Sequence, residues 1–189
     1  VRTGENTLIV NAKDDYQDGT IPSGKQSNRP ESYGCLYTRT TGIWQTIWLE
    51  FTGKTYFSKT KITPDVKSKT ILIEAALNRA AEGLFEAEVR FKGERLAARS
   101  VSFNGVSLTL SVALDCELAL WDVLEPNLYD ITLKLIEDGS VTDIAETYCG
   151  FRTVEISGRS LLLKGKPLFL RQVLDQGYYP DGIYTAPSA

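Results

Sequence analysis

Phe85-Glu86-Ala87-Glu88-Val89-Arg90-Phe91 alternates apolar and charged side chains without a break. Successive side chains of a strand point to opposite faces, so this run offers one face to a core and the other to water. Tyr129-Asp130-Ile131-Thr132-Leu133-Lys134-Leu135 repeats the pattern. Further strand-like runs lie at 56–57, 70–77, 98–103, 107–114 and 142–148. Turn formers separate them: Lys92-Gly93-Glu94, Asn104-Gly105 and Glu137-Asp138-Gly139. Asn104-Gly105 fits a two-residue type I′ hairpin, a turn that needs positive φ at both central positions. About seven short strands in about 100 residues, punctuated this way, predict an immunoglobulin-like β-sandwich. The Cys-Trp-Cys spacing of antibody domains is missing, so an antibody-type domain is excluded.

Outward from this centre, the N-terminal side opens with the apolar run Thr7-Leu8-Ile9-Val10. A polar stretch over 11–32 follows, holding Gly19, Pro22, Gly24 and Pro30, and is long for a structureless loop. Ile43-Trp44-Gln45-Thr46-Ile47-Trp48-Leu49-Glu50 then alternates as a half-buried strand would. On the C-terminal side, Val154-Glu155-Ile156, Ser157-Gly158-Arg159 and Leu161-Leu162-Leu163 read as a hairpin, with Lys164-Gly165-Lys166-Pro167 as a second turn. Residues 168–174 lack clean alternation, as expected of a strand buried on both faces. They run into the polar and aromatic loop Asp175-Gln176-Gly177-Tyr178-Tyr179-Pro180. The predicted class is all-β.

Composition narrows the function classes. The chain has 189 residues, 42% hydrophobic and 24% charged, with a net charge of -3. That balance gives no reason to expect nucleic acid or an anionic membrane as partner. No run of 18 apolar residues occurs, so no helical membrane span is expected, and no charged-then-apolar leader is visible at the N-terminus. Methionine is absent, so the sequence does not start at a native start codon. Histidine is absent too, which excludes Ser-His-Asp and Cys-His catalysis within these residues. Cys35, Cys116 and Cys149 are widely spaced and odd in number. A zinc site and a disulfide framework are both disfavoured, and three buried free thiols are expected. No cofactor or metal is expected.

Candidate functional residues are few. Trp44 and Trp48 either stack on sugar rings or pack a core or domain seam. Trp121 reads as a plug under a loop of the sandwich. Arg152 is either an interdomain clamp or a surface arginine. Glu86 and Glu88 belong to a solvated face. Asp175 sits directly after the run at 168–174, where barrel enzymes place their chemistry. It is either a substrate contact or a turn aspartate. Gln176 and Tyr178 share its position and are the other candidate substrate-binding residues.

Several motifs together resemble glycoside hydrolase family 2, which includes β-galactosidases, β-glucuronidases and β-mannosidases. Tyr37-Thr38-Arg39-Thr40-Thr41-Gly42-Ile43-Trp44-Gln45-Thr46-Ile47-Trp48-Leu49-Glu50 resembles the signature closing the family's N-terminal jelly roll. Pro126-Asn127-Leu128-Tyr129 and Cys149-Gly150-Phe151-Arg152-Thr153-Val154-Glu155 are similar to the last strands of its central sandwich. Gly165-Lys166-Pro167-Leu168-Phe169-Leu170-Arg171 resembles the entry to its TIM barrel, and the run from Leu174 to Pro187 resembles a subset of members. The resemblance implies three parts: 1–51 as the end of a sugar-binding jelly roll, 52–152 as the sandwich, and 153–189 as the beginning of the barrel. It implies a retaining hydrolase whose two catalytic glutamates come from later barrel strands, beyond these residues. Members often carry a histidine-containing motif where this chain has Leu174-Asp175-Gln176, which puts the usual β-galactosidase assignment in doubt. The expectation is a non-catalytic, architectural portion of such an enzyme that meets carbohydrate only through the parent. The alternatives are a carbohydrate-binding module and a purely interacting domain. Open strand edges at Leu8 to Val10 or Ile43 to Leu49 would favour a homodimer.

Overall fold

The computed structural model describes residues 3–15 and 17–187. Two compact units are present, Glu50–Leu170 and a second formed by Val1–Leu49 with Arg171–Ala189. No helix occurs among the described residues.

The Glu50–Leu170 unit is built on β1 (Phe57–Asp65), β2 (Thr70–Phe91), β3 (Glu94–Ala113), β4 (Tyr129–Glu137) and β5 (Ser140–Cys149). All neighbours pair antiparallel, and β2 is the hub. Its first part, from Thr70, lies between β1 and the second half of β3. Its last part, Leu84 to Phe91, lies between the first half of β3 and β4, and β5 adds outside β4. The long β2–β3 hairpin thus serves two layers, one with three strand segments and one with four. Ile71, Ile73, Leu108, Leu110 and Val112 of the first layer share one buried cluster with Phe85, Val89, Ile131, Leu133 and Leu135 of the second. The rings of Phe57 and Phe85 meet at 5.7 Å across it. This is the expected immunoglobulin-like sandwich, and the alternations of 85–91 and 129–135 give the buried faces as read. On the wet face Glu86 pairs with Lys134 across the strands, and Glu88 with Arg90 and Arg95.

The predicted hairpin at Asn104-Gly105 does not form: both residues lie inside β3. Only Gly105 has positive φ, 125°, so a type I′ turn is impossible there. Opposite it, four residues of β2, Leu77 to Ala80, face the single Val106 of β3. Such unequal pairing bends and twists a strand. The bend is where the hairpin passes from one layer to the other. Asn78 secures it, its N–H donating to the Tyr56 carbonyl at 3.1 Å and its Oδ1 accepting from the Tyr56 N–H at 3.0 Å. Arg79 Nε donates to Oγ1 of the buried Thr55 at 3.0 Å. The type I′ geometry belongs instead to Lys92-Gly93 (φ 50° and 84°) and Asp138-Gly139 (50° and 75°).

Tyr129 opens β4 with its ring buried, stacked on Phe91 and edge-on to Phe151. Its hydroxyl accepts the Ala119 N–H at 2.8 Å, ten residues upstream. Immunoglobulin domains use a tyrosine this way near the start of a late strand, two residues before a core cysteine; Ile131 fills that position here. Trp121 donates its backbone N–H to the Phe151 carbonyl, and its side chain packs against Gly150 and lies under the Arg152 guanidinium at 4.6 Å. It plugs the end of the sandwich, as expected, and Arg152 covers the plug. The hairpin read after 153 is present as β6 (Val154–Ser157), β7 (Ser160–Leu163) and the short β8 (Lys166–Pro167). The Lys164-Gly165 turn (52° and 72°) joins the last two, and Lys164 pairs with Asp122.

Three further expectations fail. The half-buried strand over 43–50 is not formed, and Trp44 and Trp48 are 56% and 68% exposed. The doubly buried strand over 168–174 is not formed either: Phe169 is 84% and Val173 90% exposed. Apolar runs become strands only where neighbouring strands satisfy their backbone, and among the described residues none pairs with these two. Of the three thiols, Cys149 is buried, Cys116 partly so, and Cys35 exposed, because its turn at 33–36 carries no core.

Candidate functional site

The site is built from residues of the Val1–Leu49 and Arg171–Ala189 unit. Bridges between Gln26 and Tyr37 and between Tyr179 and Ile183 organise its loops. Asp175 begins the C-terminal loop, its Oδ1 accepting the Gly177 N–H at 2.8 Å. It is thus a turn aspartate in local role, and its exposed carboxylate keeps Oδ2 for other partners. The turn aims Tyr178 against Tyr37, rings 4.2 Å apart and 17° from parallel. Tyr184 also meets Tyr178, its ring 4.7 Å away and tilted by 43°, with the two hydroxyls 2.6 Å apart. Trp44 extends the stack by resting on Tyr184 at 5.4 Å and 28°. Four aromatic rings therefore form one ladder, Tyr37-Tyr178-Tyr184-Trp44.

Loss of water around the Tyr178 hydroxyl raises its pKa well above the usual phenol range, and the hydrogen bond to Tyr184 adds to the rise. It stays a neutral hydroxyl at every physiological pH. Gln176 carries a side-chain carbonyl oxygen that is shut off from solvent and meets no hydrogen-bond donor among the described residues. A buried acceptor of this kind costs about 1–3 kcal/mol until a donor reaches it.

Two clefts border the ladder. One, of about 430 Å³, is lined by Tyr37, Thr38, Tyr178, Tyr179 and Asp181 among others. The other, of about 560 Å³, is lined by Lys13, Asp14, Gln26, Thr41, Trp44 and Tyr184 among others. Both volumes fall in the range of small-molecule sites. Of the three predicted site residues only Tyr178 lines a cleft; Asp175 and Gln176 stand before it in the same loop. Tyr37, Tyr184 and Asp181 were not singled out from sequence. Their spacing from Tyr178, 141 residues away for Tyr37, carries no periodic signal. Among the described residues no cluster of His, Cys, Asp or Glu is set to hold a metal ion.

The Glu50–Leu170 unit defines the chain's class: an immunoglobulin-like sandwich module whose long central hairpin spans both layers. The model of the Glycosyl hydrolases family 2 matches residues 55–152, the length of that sandwich, and the chain belongs to this family. A protein of Formosa agariphila, provisionally named a beta-glucuronidase, is 26% identical over 182 residues, covering 90% of this chain and 20% of its own. Beta-galactosidase 2 of Enterobacter cloacae is 29% identical over 160 residues, covering 76% of this chain and 16% of its own. The chain thus spans a fifth or less of the length of these relatives. In fold it is similar to the β-glucuronidase of Ruminococcus gnavus solved with D-glucuronic acid, with a TM-score of 0.55 and 21% identity over 71% of this chain and 22% of that one. A family 2 member from Bacteroides cellulosilyticus gives the same TM-score, 0.55, at 19% identity over 62% of this chain and 18% of that one.

Proposed function

We propose that these residues are a non-catalytic part of a retaining glycosidase of family 2, one that hydrolyses O-glycosidic bonds of the β-galactoside or β-glucuronide kind. In this reading 1–51 close a sugar-binding jelly roll, 52–152 are the sandwich that holds it in place, and 153–189 begin the catalytic barrel. Retaining hydrolysis needs two carboxyl groups about 5–5.5 Å apart, one as acid and base and one as nucleophile. The observation that carries the reading is the cleft at Tyr178, which holds a single carboxylate, Asp181, beside neutral hydroxyls and rings. In this reading such a lining orients a sugar, and the displacement of its leaving group falls to glutamates of later barrel strands.

The residues then have separable roles. Tyr178, neutral and backed by Tyr37, offers a ring for a pyranose face and a hydroxyl for its rim. Asp175 accepts a sugar hydroxyl on Oδ2 while Oδ1 keeps the turn. Gln176 is the third substrate-binding candidate of this reading, by its place in the loop beside Tyr178. Placement matters because an error of about 1 Å can cost about a hundredfold in rate.

The test is Asp175→Ala in the protein extended through its whole gene. A hydrogen bond to a charged group is worth about 1.5–3 kcal/mol, so kcat/KM should fall roughly ten- to a hundredfold. Unchanged kinetics would remove Asp175 from the substrate site.

A further inference from the structure

Residues 53–56 belong to no strand, yet the strap from Gly53 to Phe57 is gripped along its whole length. Gly53 lies so close to β5 that a Cβ would sit 2.8 Å from the Thr142 carbonyl oxygen. The Lys54 carbonyl accepts Asn78 Nδ2 at 3.1 Å, and the buried Thr55 hydroxyl accepts Arg79 Nε at 3.0 Å. Tyr56 meets Asn78 twice, and the Phe57 N–H donates to Asp143 Oδ2 at 2.8 Å. We infer that Asn78, Arg79 and Asp143 are positioning residues for the reaction proposed above. They clamp the strap and so fix the path by which the chain enters the sandwich from the Val1–Leu49 unit. The kinetic consequence rests on the proposed function; the clamp stands on the bonds of the Glu50–Leu170 unit alone.

The clamp explains the irregularity of β2. Four residues, Leu77 to Ala80, face the single Val106 there, and Asn78 and Arg79 are two of the four. A bulge releases residues from the ladder and re-aims their side chains. Here it turns two of them onto the strap. Asp143 reaches the strap from a different strand, β5, and a carboxylate holding a backbone N–H makes a bond about twice as strong as a neutral one. The core needs none of this, because the amides of a surface connection are satisfied by water. What the grip changes is the freedom of the joint. As a flexible linker, residues 50–57 would scatter the chain's entry over about 15 Å. An error of about 1 Å in placing a binding group can cost about a hundredfold in rate.

The test has two arms. In the first, hydrogen exchange of the 189-residue chain is read amide by amide. The Tyr56 and Phe57 amides should be protected. Asp143→Ala and Asn78→Ala should each speed both amides roughly tenfold, including the one whose own acceptor is intact, because the strap opens as a unit. Asp143→Asn keeps an acceptor and should restore protection, and the amides of β4 should keep their wild-type rates. In the second arm, the protein extended through its whole gene carries the same substitutions. Asp143→Ala should raise KM about three- to tenfold with kcat much less affected, and Asp143→Asn should return it toward wild type. Tyr129→Phe, which weakens the sandwich away from the strap, should leave KM alone. The clamp is overturned if each variant speeds only its own amide, or if β4 exchanges faster in step. The positioning role alone is overturned if KM does not move in an active protein. An unsubstituted extended protein that hydrolyses no glycoside would remove the proposed function, and the positioning role with it.

Discussion

Tyr129 and Cys149 show how much rests on single buried groups. Replacing Tyr129 by Phe keeps the stack on Phe91 but leaves the Ala119 N–H without its acceptor. A buried donor left so costs about 1–3 kcal/mol, to be read as a lower urea midpoint at unchanged slope. Burial pushes the Cys149 thiol from its ordinary 9.0 up to about 11. The unfolded chain gives up this proton near 9.0 while the folded chain holds it to about 11. Its contribution to stability is therefore complete below that window and lost as pH rises through it. Desolvation raises Tyr129 in the same sense. Urea midpoints should fall between about pH 9 and pH 11, and Cys149→Ala should flatten that fall. A slope unaltered by the substitution would contradict the assignment. At this scale the sequence spoke plainly only where a side chain's neighbours are near in the chain. Asp175, Gln176 and Tyr178 stood out because they share one loop. Tyr37 and Trp44 join them only through folding over more than 130 residues, which no local pattern records.

At the scale of elements, period-2 alternation located the strands, and it did so because a half-buried strand has no other solution. What it could not locate was where one strand ends. The runs 70–77 and 85–91 are one strand, as are 98–103 and 107–114. Asn104-Gly105 has the composition of a tight turn, yet pairing with Ala81 and Glu82 holds it extended and confines the irregularity to a bend. Gly83 lies beside that bend, where a Cβ would sit 2.2 Å from the Ile136 carbonyl oxygen. Backbone atoms cannot move aside, so Gly83→Ala must spread β2 from β4. The expected cost is about 1–3 kcal/mol, typical of overpacking, measured by thermal or urea unfolding. A neutral result would mean that β2 and β4 do not approach each other this closely at Gly83.

At the scale of the whole molecule, the sandwich was legible because its core is complete within 57–151. The runs at 43–50 and 168–174 were misread as strands because their apolar residues imply partners, and no described strand supplies them. Leu8, Ile9, Val10, Ile47 and Leu49 are exposed, and we propose self-association through these apolar segments. Light scattering at high concentration should give a mass above 21.0 kDa, and a monomer would refute it. The central claim is that these residues shape a glycosidase without performing its chemistry. A panel of nitrophenyl glycosides, offered to this chain and to the protein extended through the whole gene, tests it most directly. The account predicts nitrophenol from the extended protein alone, with the preferred glycoside naming the substrate class. Release by the 189-residue chain itself would place a working carboxylate pair within it and contradict the account.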